Sequence, residues 1–480
     1  MTETAGTGRE PAPVRASELY ELAVCPHRIT LDRRLGREER AAPDEASALL
    51  LERGRAWEAA CAERLGWPRP EAPPGDFRAA AAETEALMRR GVDGVYQGVL
   101  CRDGHLAIPD LLRRVPGTSR LGPHHYEPGD VKAGLAPRAD QVLQVAYAGW
   151  LLEPLQGRAP ERGFLLLGDG REVTFPLAPL RAVLDAARRK VERIASGEEP
   201  TEPYWSDACL RCRWRRRCLP EMEAAGDLSL VDGMTPTRRR VLRRHGVATV
   251  ADLAAVDPRE WREAGRPPLG LEALVRQARA LLSGRIRLGR PFDLPSPSPA
   301  DRLIWAERDP LARERAVLVA WREASGREAV HVLGVAEAAA AAARDLFAWA
   351  ESSRGTLFHF GAETAAALEA LAEERGVAPA LQVALEARRV DLRARLRRAC
   401  AYLPVRRYDL EEVDAALAGR PLPGPGERVP PAFVAVSADP NGRSARDAAR
   451  AVAIARRRLE ALARVLAWMR APSRAPGGAR

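Results

Sequence analysis

Two aspartates and a lysine carry the first chemical signal of this chain: Asp110 in Ile-Pro-Asp-Leu-Leu, and Asp130 with Lys132 in Asp-Val-Lys. Alternation along a strand turns residues i and i+2 to the same face, so Asp130 and Lys132 are expected to share one. Asp110 is read as ending a neighbouring strand, whose pairing would bring its carboxylate beside them. Two carboxylates at close range repel unless a cation lies between them. Hard oxygen ligands with open water positions suit Mg²⁺ or Mn²⁺, with the carbonyl of Val131 as a third ligand. Such an ion lowers the pKa of a bound water and neutralises charge on a phosphate, and Lys132 would stabilise the crowded phosphorus centre. Taken alone, Asp-x-Lys says little, since most such triplets are solvated strand edges. Lys132 is nevertheless unusual: of 75 basic residues only it and Lys190 are lysines, and every other one is arginine. A compact point donor kept in so arginine-biased a chain marks a position that the planar guanidinium fork does not fill.

The cysteines form the second signal. Cys25 stands in Glu-Leu-Ala-Val-Cys-Pro-His-Arg, and Cys209, Cys212 and Cys218 in Asp-Ala-Cys-Leu-Arg-Cys-Arg-Trp-Arg-Arg-Arg-Cys. Thiolates at these short spacings converge on one centre, and the distant fourth would staple the domain shut. Spacing alone leaves an iron–sulfur cluster and a tetrahedral Zn²⁺ site equally open. Arg213, Arg215, Arg216 and Arg217 surround the three clustered cysteines and are placed to meet phosphates there. Cys61, Cys101 and Cys400 lack such company and read as ordinary thiols.

Elements must position these groups. Val-Tyr-Gln-Gly-Val-Leu-Cys-Arg-Asp-Gly-His-Leu-Ala-Ile is a hairpin signal around Arg-Asp-Gly, and Phe-Leu-Leu-Leu-Gly-Asp-Gly-Arg-Glu-Val-Thr-Phe a second around Gly-Asp-Gly. Between them, His-Tyr-Glu-Pro-Gly-Asp-Val-Lys reads as a short strand and Asp-Gln-Val-Leu-Gln-Val-Ala-Tyr-Ala-Gly-Trp-Leu-Leu as a helix. This order predicts an α/β fold with a mixed sheet. At 480 residues the chain is long for one core. Three regions are expected: 1–222, a helical stretch at 223–288, and 289–480 beyond a Pro/Ser-rich linker at 293–301. A net charge of +10 tilts the partners towards nucleic acid. No apolar run is long enough for a membrane span, and the first residues lack a signal-peptide core, so a cytoplasmic protein is expected, in which clustered cysteines imply metal.

With these residues in view, positions 17 to about 220 resemble the RecB-like PD-(D/E)XK nucleases, in particular the iron–sulfur branch and a bacterial group carrying a ribonuclease H-like C-terminal module. The resemblance implies a restriction-endonuclease-like mixed sheet with flanking helices, metal-dependent cleavage of DNA at single-stranded ends, and a [4Fe–4S] cluster on Cys25, Cys209, Cys212 and Cys218. Asp110, Asp130 and Lys132 match the family's acidic and Asp-x-Lys motifs, and Gln144 and Tyr147 its Gln/Tyr helix. Where members of that family carry a metal-binding His before Glu, this chain has Trp57 before Glu58, so either Glu58 substitutes as a ligand, or the site keeps two protein carboxylates, or activity is reduced. Residues 229–256 resemble a helix–hairpin–helix element with Gly233 at the turn and Arg239 and Arg243 near a phosphate. In the third region, Trp305 stands where the ribonuclease H-like module has its first aspartate. Glu307, His359, Gly361 and Glu363 match further landmarks, and Asp447 is the candidate for the last. That region is expected to be inactive. Two other readings stay open: a catalytically inactive nucleic-acid-binding protein on a nuclease fold, and a zinc-stapled adaptor.

Overall fold

The computed structural model describes residues 12–264, 268–333, 336–424, 427–438 and 445–471. The chain divides into two units, Met1–Arg40 with Leu50–Pro203, and Ala41–Leu49 with Tyr204–Arg480. Both are mixed α/β, and among the described residues no helix is long and apolar enough to cross a membrane.

In the first unit β1 (Val14–Arg15) leads into α1 (Ala16–Val24) and α2 (His27–Arg34); α3 (Glu45–Leu65) and α4 (Phe77–Arg89) follow. Next come β2 (Gly94–Tyr96), β3 (Leu100–Arg102), β4 (His105–Ala107), β5 (Leu111–Ser119) and β6 (Gly122–Val131). The unit closes with α5 (Ala139–Gln156), β7 (Arg162–Leu166), β8 (Glu172–Pro176) and α6 (Arg181–Ser196). The main sheet has the order β2-β5-β6-β7-β8. β6 pairs antiparallel with β5 and parallel with β7, the crossover being α5. A second, small sheet holds β1, β4 and β3.

Both expected hairpins are present. Asp103 and Gly104 join β3 to β4 with φ of 47° and 75°, the pair of positive values that a tight two-residue turn needs. The expected short strand at His-Tyr-Glu-Pro-Gly-Asp-Val is longer, the ten residues of β6, because its pairing with β5 runs back almost to the turn. β6 is central and its last eight residues are buried, so its sequence lacks a clean two-residue alternation. The core joins α1, α5 and α6 to the strands through Leu19, Tyr126, Tyr147, Leu151, Leu152, Leu184 and Val191. Each fully buried aliphatic side chain contributes about 1.5–3 kcal/mol relative to exposure.

The second unit begins with the cysteine segment and α7 (Arg215–Ala224), then α8 (Pro236–Arg244), α9 (Val250–Ala255), α10 (Pro258–Ala264) and α11 (Leu271–Ser283). Thr235 caps α8 through the Arg238 N–H, and Thr249 and Asp252 cap α9 reciprocally. Leu228, Val231, Leu242, Val250, Leu253, Leu274 and Val275 give this helical stretch a core of its own.

A five-stranded sheet of order β11-β10-β9-β12-β13 follows. Its strands are β9 (Arg302–Arg308), β10 (Ala316–Glu323), β11 (Glu328–Val332), β12 (Leu357–His359) and β13 (Arg389–Asp391). β9, β10 and β11 form an antiparallel meander, and β12 and β13 extend it in parallel beside β9. Helices cover both faces: α12 (Ala336–Ser352) and α13 (Ala362–Glu374) pack on Ile304, Val319 and Trp321, while the long helix Ala445–Arg470 packs on Leu318 and Ala320.

Candidate active site

Asp110 lies immediately before β5, not at the end of a strand as the sequence pattern implied. The outcome is the same, because antiparallel pairing sets Leu111 opposite Gly129 and so brings Asp110 beside Asp130. The two aspartates are cross-tied through backbone. The Asp110 N–H donates to Asp130 Oδ1 at 3.1 Å, and the Val131 N–H donates to Asp110 Oδ2 at 2.8 Å. Lys132, just past β6, reaches back to both carboxylates, with Nζ 3.0 Å from Asp130 Oδ2 and 3.8 Å from Asp110 Oδ2. Its backbone N–H bonds the Leu166 carbonyl, so the end of β6 is clamped by β7 while its side chain faces the acids.

Glu58 comes from α3. One of its oxygens, Oε1, accepts from the Tyr96 hydroxyl at 2.9 Å and from Gln97 Nε2 at 2.7 Å. Neither Tyr96 nor Gln97 was singled out from the sequence. The signal was a polar Gln inside the apolar run Val-Tyr-Gln-Gly-Val-Leu. Gln97 also donates its backbone N–H to the Asp110 carbonyl at 2.9 Å.

Burial, reinforced by repulsion from Asp130 and Glu58, pushes the Asp110 carboxyl up to about 7 against the opposing pull of Lys132 and the Val131 N–H. Burial draws Lys132 down, but Asp130 and Asp110 outweigh it and hold the ammonium above its ordinary value. An acid raised in the fold stabilises it below the unfolded value near 3.9, and that stability is lost as pH rises through about 7. Metal-free protein is therefore expected to melt lower at about pH 8 than at about pH 5, and added Mn²⁺ to recover most of the difference. Equal melting midpoints at the two pH values would show that Asp110 is ionised throughout.

The donor chemistry is that of a divalent-cation site, with hard oxygens, acids that repel, and Asp110 Oδ1 taking no protein hydrogen bond among the described residues, although no group of three His, Cys, Asp or Glu side chains among those residues is spaced to hold an ion. Trp57 does not join them. Its ring packs on the apolar floor formed by Cys61, Leu111, Val131, Phe164 and Leu166, under the strand ends that carry the acids.

Tyr147 packs with the helices of the core. It is fully buried, its hydroxyl hydrogen-bonded to the Val14 carbonyl at 3.0 Å and to His105 Nδ1 at 2.8 Å, so it belongs to the core and not to the acidic cluster. Gln144, on the same helix, is half-buried. Tyr147→Phe is expected to lose about 1–3 kcal/mol of stability, since it strips a buried carbonyl of its partner, with cleavage unchanged at a temperature where the variant is folded. A large fall in rate without loss of stability would return Tyr147 to the site.

Three of the four candidate cluster cysteines lie in the second unit. Cys209 is in a short 3₁₀ turn (Asp207–Arg211), Cys212 follows it, and Cys218 is in the first turn of α7. Cys209 and Cys218 pack on one small cluster with Trp205, Leu219 and Met222. The Trp214 N–H points at Cys212 Sγ from 3.4 Å, the kind of donor that steadies a ligating thiolate. Cys25 belongs to the first unit, as the residue that ends α1.

The arginines expected at phosphates separate into two groups. Arg215 is buried and donates to the carbonyls of Cys212 and Ala42, and Arg239 is buried against Asp227. These two are structural, because each shares the inward face of its helix with leucine. Arg216, Arg217 and Arg243 are exposed, although Arg217 pairs with Glu221 and Arg243 leans on Asp227; Arg213 is half-buried. Gly233 is exposed at φ 83°, a turn that only glycine adopts without strain.

In the third region Glu307 is engaged on both oxygens, by Trp305 Nε1 at 2.8 Å and the Ala432 N–H at 2.6 Å, and burial raises its pKa. His359 bonds the Gly361 carbonyl, and Glu363 pairs with Arg308. The sequence matches no protein-family model and no curated protein.

Proposed function

We propose that the chain is a metal-dependent nuclease that hydrolyses DNA phosphodiester bonds, acting as an exonuclease on single-stranded ends. The observation that carries this reading is the reciprocal backbone tie between Asp110 and Asp130 with Lys132 spanning both carboxylates. Asp110, Asp130 and the Val131 carbonyl would hold Mg²⁺ or Mn²⁺, which when bound activates a water and offsets charge on the phosphate. Lys132, released from part of its contact with the acids, donates to the phosphate oxygen that gains charge during attack. Gln144 stands by for the substrate. Arg213, Arg216 and Arg217, with Arg243 and the Gly233 turn, supply sequence-independent phosphate contacts.

Cys25, Cys209, Cys212 and Cys218 are proposed to hold a structural [4Fe–4S] cluster. The order β11-β10-β9-β12-β13, a meander extended by parallel strands, supports a ribonuclease H-like third region, and the engaged Glu307 supports its being inactive. One observation favours a second reading, a nucleic-acid-binding protein without activity: Trp57 occupies the position of the relatives' metal-binding His and packs into the floor.

Incubation of the anaerobically purified protein with end-labelled single- and double-stranded DNA and Mn²⁺ separates the two. Progressive shortening of the single strand supports the nuclease. Tight, salt-sensitive binding without any cleavage establishes the binding protein.

A further inference from the structure

We propose that Tyr96 and Gln97 are positioning residues that lock one oxygen of Glu58 and present the other to the cation held by Asp110 and Asp130. The proposal rests on the metal-dependent reading above and adds residues to it. Both donors fall on the same oxygen, Oε1, while Oε2 takes no protein hydrogen bond among the described residues. A carboxylate on a helix surface otherwise samples several rotamers. Two donors on one oxygen fix its plane and leave one edge for a ligand, as the outer hydrogen bonds of ligating carboxylates do. Gln97 joins the two, its amide on Glu58 and its main-chain N–H on the Asp110 carbonyl, which brings Glu58 to the side of the acids.

The backbone of Gln97 supplies independent support. Its φ is 48°, in the left-handed region that a non-glycine residue occupies only when something holds it there. In that conformation one residue ties two segments together: the amide side chain reaches Glu58 on α3, and the main-chain N–H reaches the Asp110 carbonyl. Glycine would take this conformation freely, and the glutamine differs from it by the amide that engages Glu58. Tryptophan at position 57 offers no imidazole, and Glu58 with the two aspartates makes an all-oxygen set of the kind that suits Mg²⁺ and Mn²⁺.

Gln97→Gly tests this cleanly, because it removes the amide and relieves the backbone in one change. Mn²⁺ binding is read in the absence of DNA, from loss of the free-ion electron paramagnetic resonance signal, alongside a melting curve. Gln97→Gly should bind Mn²⁺ about 10–100-fold more weakly than the parent, the usual effect of losing an outer hydrogen bond at a metal site. Its melting midpoint should be unchanged or higher. Glu58→Gln should show a comparable loss of affinity, and Tyr96→Phe, which removes one donor of two, a smaller one. A Gln97→Gly protein that melts lower yet binds Mn²⁺ as tightly as the parent would show that Gln97 serves the fold alone. Parental affinity in Glu58→Gln would remove Glu58 from the site. A different result marks failure of the underlying reading: a parent that binds no Mn²⁺, or binds it equally well as Asp130→Asn, has no metal centre here, and this proposal falls with it.

Discussion

Asp130→Asn abolishes DNA cleavage in the expected result, with the fold left standing. The amide keeps the shape of the side chain and one oxygen to accept the Asp110 N–H, now bonded at 3.1 Å, so the end of β6 stays tied to the start of β5. What is lost is one of the two negative charges that draw a divalent cation, and with it the activated water. Lys132→Ala is expected to retain a trace of activity, since loss of one transition-state donor costs about 10²–10³ in rate. Lys132→Arg is the more searching variant. Charge is retained, but the planar fork cannot occupy the point where Nζ now stands 3.0 Å from one carboxylate and 3.8 Å from the other. A Lys132→Arg protein that cuts at the parental rate would show that the lysine has no part in the chemistry. Glu307→Gln serves as the control in the other region and should cut normally, because both Glu307 oxygens are already engaged by Trp305 and the Ala432 backbone. Cleavage lost in Glu307→Gln and retained in Asp130→Asn would move the active site to the third region.

The sequence made the acids and the lysine legible because they depend on one strand's alternation and one pairing. That pairing tolerated an error: Asp110 precedes its strand instead of ending it, yet antiparallel register still delivers it to Asp130. Tyr147 was not legible in the same way. A spacing of three says that Gln144 and Tyr147 share a helical face but not where that face looks. Helix α5 is buried over most of its circumference, from Val145 through Leu152, so periodicity offers no solvent side as a reference. The inward arginines fail for a related reason. In Arg-Arg-Arg-Val-Leu-Arg-Arg every position is basic or apolar, and only the packed structure shows that Arg239 shares its face with Leu242 and meets Asp227 across it. Gln97 was hidden at the level of the backbone, since no composition rule assigns a positive φ to a glutamine between two strands.

The parent purified without oxygen is expected to be brown and to carry about four irons per chain, and Cys212→Ser to yield a colourless, poorly soluble protein. The thiolates of such a centre are folding ligands, so losing one removes folding energy along with the metal. Cys212 is the sharpest site for the test because it is buried, receives the Trp214 N–H on its sulfur, and anchors Arg215 through its carbonyl. Serine preserves most of that packing, so collapse of the segment would report the missing metal and not a cavity. Cys101→Ser supplies the control: its thiol is exposed on β3, and the variant should keep full colour and iron. Metal counting decides between the two centres that the spacing allows. One zinc and no iron would leave the staple in place and change its identity. Cys25 needs its own variant, because it lies far in sequence from the other three and in the other unit. If Cys25→Ser retains the parental iron while Cys209→Ser, Cys212→Ser and Cys218→Ser all lose it, the fourth ligand comes from elsewhere.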